Sequence, residues 1–336
     1  MSCLNRHFKN STRQQRTRVW FLSVLISLLL VVFIITQLDW SFMIRLWNRV
    51  EPIFLLLGIF TVAFDAVFTA LRLRVLHLAN QKHSYPGYLT IVVLHGYFLL
   101  LLPARLGEIP YLLMMRRRLG MASGAVFASF VYQRVLDTMI LGIFFFTGLA
   151  VIFDQGVIGF NWLVLTMALV SILIVLFARL DWVIAQIVRS FYHIEGRHRL
   201  WVRTILYVLI TAQRWSVLLR NRRWEALMLS IIRWTFVMAG TWFAFRGFGF
   251  HLGIAETLFL GAGLAFVSVI PLQTIGGFGV SEVGLAGLLM VIGFSWQEAT
   301  TTALTVRFTI FAIQVAGLSL AGAGAWLIER LIVLHV

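Results

Sequence analysis

Apolar residues run along this chain in long unbroken blocks, without the two-residue alternation of a half-buried strand. A helix that crosses a membrane needs about 20 predominantly apolar residues. Blocks of that kind lie at 19–38, 53–71, the second half of 122–153, 160–177, 226–245 and 299–328. Two further apolar stretches, 88–102 and 254–270, are short, and each runs into a proline, Pro103 and Pro271. Each is followed by a polar, glycine-containing turn and a second short apolar piece. The first turn reads Pro103-Ala-Arg-Leu-Gly-Glu108 and the second Pro271-Leu-Gln-Thr-Ile-Gly-Gly-Phe-Gly-Val-Ser-Glu282. Gly107, Gly276, Gly277 and Gly279 are the expected turn glycines, and Ser281 the expected N-cap of the piece that follows. Broken apolar segments predict re-entrant hairpins, over 88–118 and 254–293. Non-helical backbone at membrane depth is tolerated only where protein buries it or it lines a wet cavity.

Composition removes the alternatives. The chain has 336 residues, 60% hydrophobic and 12% charged, against roughly 25% charged in soluble domains. A soluble globule would expose large apolar areas, a disordered chain would hold far fewer apolar residues, and a β-barrel would alternate. The fold class expected is all-α: a polytopic helical membrane protein of about six full spans plus two re-entrant hairpins. The single cysteine, Cys3, precludes an intrachain disulfide. The arginines before residue 19 lead into a block long enough to span, so it reads as an uncleaved anchor.

The formal charge of +15 would suggest nucleic acid in a soluble protein. Here it reads as cytoplasmic-side bias, with interfacial anchors such as Arg214-Trp215 and Arg222-Arg223-Trp224, and no nucleic-acid partner is expected. With a cytoplasmic N-terminus and hairpins that return to the face they left, segments 1–18, 72–87, 116–118, 179–225 and 329–336 lie inside and hold 21 Lys and Arg. The outer loops 39–52, 154–159 and 246–253 hold 3. Both termini are therefore expected in the cytoplasm, at a bacterial inner membrane. The domain plan is a basic N-terminus (1–18), a first membrane repeat (19–153), a second (154–328) containing the basic linker 179–225, and a short cytoplasmic C-terminus (329–336). The linker reads as amphipathic helix lying on the membrane.

Each repeat reads span, span, hairpin, span. Three crossings is an odd number, so the second repeat is expected inverted. Pro103, Glu108, Gly120, Ala125 and Arg134 parallel Pro271, Glu282, Gly293, Ala299 and Arg307, with Glu and Arg 26 residues apart in one repeat and 25 in the other. Inverted repeats with paired broken helices are an architecture of secondary transporters, with substrate near the midplane.

Ionised side chains in hydrocarbon require partners or water. Asp65 and Arg233 are expected to form structural charge pairs. Arg105, Glu108, Arg134, Asp137, Glu282 and Arg307 are the expected substrate-binding set, because guanidinium forks bind phosphate bidentately and hairpin tips present N–H groups. Arg134 and Asp137 share a helix face and could pair. Arg105, Arg134 and Arg307 against Glu108 and Glu282 would leave a positive excess that a bound lipid phosphate relieves. Gly276-Gly-Phe-Gly279 is not a dinucleotide fingerprint. His193 and His198 lack partners at metal-ligand spacing, and His95 reads as a hydrogen-bonded core residue. No metal, cofactor or catalytic residue is expected.

The stretch Leu102-Pro-Ala-Arg-Leu-Gly-Glu108, with Gly120 and Tyr132-Gln-Arg-Val-Leu-Asp137, resembles the membrane region of lysylphosphatidylglycerol synthases, as does Gly276-Gly-Phe-Gly-Val-Ser-Glu282 followed by Arg307. The same region occurs alone in flippase-like integral membrane proteins. The resemblance runs from about Val19 to Ile328 and implies translocation of a polar-headed anionic or aminoacylated lipid, or a lipid-linked precursor. Gln133 departs from the glutamate usual at that place. The chain ends at Val336 without the soluble aminoacyl-transferring domain, so no enzyme activity is expected of it. The alternative is a membrane subunit that scaffolds, or supplies lipid to, a separate glycosyltransferase or lipid-modifying enzyme.

Overall fold

Helix is the only regular structure among the residues that the computed structural model describes: 40–77, 84–103, 106–153, 221–268, 279–334 and scattered positions between 164 and 217. Nine segments organise them: α1 Trp40–Asn48, α2 Pro52–Leu76, α3 Tyr85–Leu101, α4 Glu108–Arg118, α5 Ser123–Ile152, α6 Arg223–Arg246, α7 Ile254–Val267, α8 Val280–Val291 and α9 Trp296–Leu334. Helices α2, α5, α6 and α9 are long and apolar enough to cross a membrane, and they cover four of the six expected spans. The other two, 19–38 and 160–177, lie outside the continuously described residues, as does most of the linker 179–225.

Exposed large apolar side chains such as Phe60 and Phe64 on α2 and Phe308 on α9 are what lipid-facing surfaces require, since hydrocarbon replaces water as their solvent. The short helices are different. At 1.5 Å per residue, the 11 residues of α4, 14 of α7 and 12 of α8 fall short of a hydrocarbon core about 30 Å thick. They come in packed pairs, α3 with α4 and α7 with α8. Gly107, the N-cap of α4, shows how tightly the first pair folds back: a Cβ there would lie 2.5 Å from the Phe98 carbonyl group and 2.6 Å from the Leu99 nitrogen.

The two halves pack in corresponding ways. Helix α3 lies on α2 and on α9, while α7 lies on α6 and on α5. Helix α4 also touches α5 as α8 touches α9, and α2 and α6 pack on each other. Matching α2 to α6, α3 and α4 to α7 and α8, and α5 to α9 maps every one of these contacts onto its counterpart. Each hairpin packs into a buried cluster that also draws on the other half. One joins Leu73, Ile91, Met115 and Ala125 with Leu318 of α9. The other joins Phe245, Leu260 and Leu285 with Ala299 and Ala303.

Two local expectations are corrected. Helix α2 continues to Leu76, so Arg72 is a helical residue only 2% exposed and not a loop cation. Without it the Lys and Arg excess of the segments expected inside is still severalfold. Ser281 is not the N-cap of α8. That position is Gly279, and the carboxylate of Glu282 caps the helix by accepting the Gly279 N–H at 2.5 Å. The turn residues Pro271, Gly276 and Gly277 lie outside the described residues, whereas Pro103 stands in the short turn between α3 and α4.

Candidate functional site

The hairpin-tip carboxylates meet the arginines that the sequence spacing pairs them with. Glu108 opens α4, and its Oε1 accepts from Arg134 Nη2 at 2.6 Å. Glu282 lies in the first turn of α8, and its Oε1 accepts from Arg307 Nε at 3.2 Å. Arg134 is the twelfth residue of α5, and Arg307 the twelfth of α9. A carboxylate in the first helical turn also suits the positive end of the helix dipole. The two pairs differ in burial. Side-chain exposure is 9% for Arg307 and 2% for Glu282, but 38% for Arg134 and 14% for Glu108.

Asp137 does not pair with Arg134, as the shared helix face allowed. It is the node of a second network that crosses three helices. Its Oδ1 accepts from Arg72 Nη1 at 2.5 Å, Trp234 Nε1 at 2.9 Å and Arg233 Nη1 at 3.0 Å. Arg72 also donates to Ser230 Oγ at 2.9 Å, and Arg233 Nε donates to Asp65 Oδ1 at 2.9 Å. A residue three positions along the same helix offered Asp137 one contact. Neighbouring helices offer several, which is what a charge buried in low dielectric needs.

These groups line two cavities. One, of about 160 Å³, is bordered by Arg134, Asp137, Arg72, Gln133, Thr69 and His95. The other, of about 330 Å³, is bordered by Arg307, Ser268, Thr61, Trp234 and Gln314. Asp65, Arg233 and Leu99 border both, so the Asp65–Arg233 ion pair stands in the shared wall. Arg134 and Arg307, which an inverted repeat could bring together, border different, adjoining cavities. Arg105 lies outside the described residues. The expected positive excess turns on Arg105 and so lies outside the described residues; among those described, Arg72, Arg134, Arg233 and Arg307 face Asp65, Glu108, Asp137 and Glu282.

Sequence reasoning missed Arg72 and Tyr111, and noted Gln133 only as a departure from the glutamate usual at that place. Arg72 carried a usable signal, since it follows Asp65 by seven residues and so shares its helix face. Tyr111 stacks on His95 with ring centroids 4.1 Å apart and donates to Gln133 Oε1 at 3.3 Å, where Arg72 Nη2 also donates at 3.4 Å. Three buried polar atoms on the smaller cavity, Gln133 Nε2, Arg72 Nε and Thr69 Oγ1, have no hydrogen-bond partner among the described residues. Each such atom costs about 1–3 kcal/mol. Among the described residues no cluster of His, Cys, Asp and Glu could hold a metal ion.

Apolar crossing helices and buried charges around adjoining cavities define an integral membrane protein of the polytopic helical class. The chain belongs to the family described as Lysylphosphatidylglycerol synthase TM region, which matches residues 20–317. No curated protein and no solved structure matches it.

Proposed function

We propose that this chain is a flippase-like transporter that moves a lipid with a phosphate-bearing polar headgroup between leaflets, without changing it covalently. The observation that carries the reading is the repeated one. Two hairpin tips each present a carboxylate to an arginine at the same position of the following helix, and each arginine borders its own cavity. In an inverted repeat the two cavities serve opposite leaflets, and the acyl chains stay in the bilayer while the headgroup passes through polar surroundings. Asp65 and Arg233, in the shared wall, lie on the headgroup's path. The carboxylates hold the arginines when no ligand is bound, and phosphate competes for the guanidinium forks. The Lys and Arg bias supports an orientation with both termini in the cytoplasm.

The test is the rate at which tail-labelled phosphatidylglycerol moves between leaflets in vesicles holding the purified chain, read by its loss of protection from an impermeant quencher. The parent should accelerate movement over protein-free vesicles. Arg307→Lys keeps the charge but loses the bidentate fork and should slow it about tenfold or more, the scale of one charge-assisted hydrogen bond at roughly 1.5–3 kcal/mol. A folded Arg307→Lys protein as fast as the parent would contradict the phosphate clamp.

A further inference from the structure

One ion pair stands between the two cavities. Asp65 is the fourteenth of the 25 residues of α2 and Arg233 the eleventh of the 24 of α6, so the pair falls near the middle of both spans. It joins the two halves, and both members border both cavities. Its two sides are held unequally. Asp65 accepts through Oδ1 alone, from Arg233 Nε at 2.9 Å, and its Oδ2 accepts from no group among the described residues. The Asp65 side chain is 24% exposed. Arg233 has two further supports: its Nη1 donates to Asp137 Oδ1 at 3.0 Å, and its guanidinium lies 4.6 Å from the centroid of the Trp234 ring. Asp137 is the opposite case to Asp65, since Arg72, Arg233 and Trp234 all donate to it. Protonating Asp137 would strand buried cations, which is costly. Protonating Asp65 strands none, because Arg233 keeps Asp137. The two helices are also tied independently of the pair. Phe64 and Phe68 stack on Phe236 of α6 with centroids 5.2 and 5.5 Å apart, and a Cβ on Gly240 would lie 2.7 Å from Thr61 Oγ1. Loss of the ion pair therefore loosens the wall without parting the halves. The other charged and titratable groups on the two cavities are Arg72 of α2 itself, His95 of α3, Tyr111 of α4, Arg134 and Asp137 of α5, and Arg307 of α9.

We propose that Asp65 is a proton-binding site, and that its protonation releases Arg233 to Asp137 and unlocks the wall between the cavities, so that transport is coupled to protons. The inference rests on the lipid-transport reading and adds its coupling ion. A proton from the solution on one side forms an O–H bond at Asp65 Oδ2. The ion pair is lost, Arg233 settles on Asp137, and the wall opens to the headgroup. When Arg233 returns to Asp65, the proton leaves to the solution on the other side. A carboxyl that is protonated in one state and ion-paired in the other binds protons differently in the two, and only such a difference lets a ligand shift an equilibrium. Ionisable side chains that face the interior of a membrane bundle are the material of proton relays in pumps and transporters. A pair that only pinned α2 to α6 would give no response to protons.

The experiment imposes a pH gradient on vesicles that hold the purified full chain and tail-labelled phosphatidylglycerol, with the membrane potential clamped at zero. Two signals are read against protein-free vesicles: the distribution of the labelled lipid between leaflets, and proton entry reported by a trapped pH-sensitive dye. With one coupled proton, a gradient of about one pH unit biases the distribution by up to about tenfold. The parent should show both signals. Asp65→Asn, a neutral side chain of the same shape, should lose both. Asp65→Thr, a side chain that α2 already carries one turn away at Thr61 and Thr69, is the second variant if Asp65→Asn does not fold. Asp65→Glu keeps a carboxyl and should keep both signals, as should His95→Gln. Absence of both signals in the parent overturns the inference, and so does their persistence in a folded neutral variant. Equal loss in a folded Asp65→Glu protein makes the residue structural and overturns it as well. Lipid movement that ignores the gradient leaves the transport reading standing and removes the proton site. Proton entry that depends on Asp65, without lipid movement, does the reverse.

Discussion

Asp137 shows what a single buried charge does in this protein. Three donors, from Arg72, Arg233 and Trp234, converge on one of its oxygens, and the Arg233 guanidinium lies 4.6 Å from the centroid of the Trp234 ring. Such a network contributes little net stability relative to an apolar core, but removing one partner strands the others and costs about 3–5 kcal/mol. Asp137→Ala should therefore reduce folded yield and lower the melting temperature in detergent, whereas Glu108→Gln, at a pair open to the cavity, should leave both near the parent. An Asp137→Ala protein that melts with the parent would contradict the network. At this scale the Glu108–Arg134 and Glu282–Arg307 pairs were legible because their spacing repeats. The partner of Asp137 was not. Proximity along a helix favours Arg134, but Arg72 and Arg233 reach Asp137 from neighbouring helices, and a one-dimensional pattern carries no record of which helices touch. Arg72 was hidden for a related reason: a cation near the end of an apolar block looks like the first residue of a loop until helix packing buries it.

Among the elements, the blocks at 53–71, 226–245 and 299–328 were located to within a few residues, because twenty or so apolar residues admit one structure in lipid. Helix ends were less legible. Capping at α8 falls to Glu282 and the Gly279 backbone, where Ser281 had the more familiar chemistry. Gly120 and Gly293, each just after the second helix of a hairpin, have φ of 63° and 101°. This is the left-handed region where glycine ends a helix at least cost, and it explains why both hairpins carry glycine at that place. Gly107 has a different constraint, the close approach of the Phe98 backbone. Gly107→Ala should destabilise the fold by about 1–3 kcal/mol, the usual range for overpacking. Gly87→Ala, where a Cβ meets nothing within 4 Å, should be neutral or slightly stabilising. Thermal denaturation of the two proteins side by side checks this, and equal melting temperatures would remove the steric reading of the first hairpin.

For the whole molecule, the mapping of one half's contacts onto the other's shows a repeat. Its inversion, and the orientation proposed from the Lys and Arg distribution, are tested by side-specific labelling. In a background with Cys3 replaced, Arg116→Cys should react with an impermeant thiol reagent only from the cytoplasmic side and Gln297→Cys only from the outside. Either residue reacting from the opposite face would undo the hairpin topology. The two adjoining cavities could not be read in advance. They depend on the packing of α2 against α6, which places Asp65 beside Arg233 and divides what the sequence suggested would be one cluster. Lipid movement is the proposed activity, and the deciding measurement is the rate of phosphatidylglycerol exchange between leaflets in vesicles reconstituted with the purified chain. Exchange well above that of protein-free vesicles, reduced in a folded Glu108→Gln protein, is the predicted result. Exchange no faster than in protein-free vesicles would contradict it.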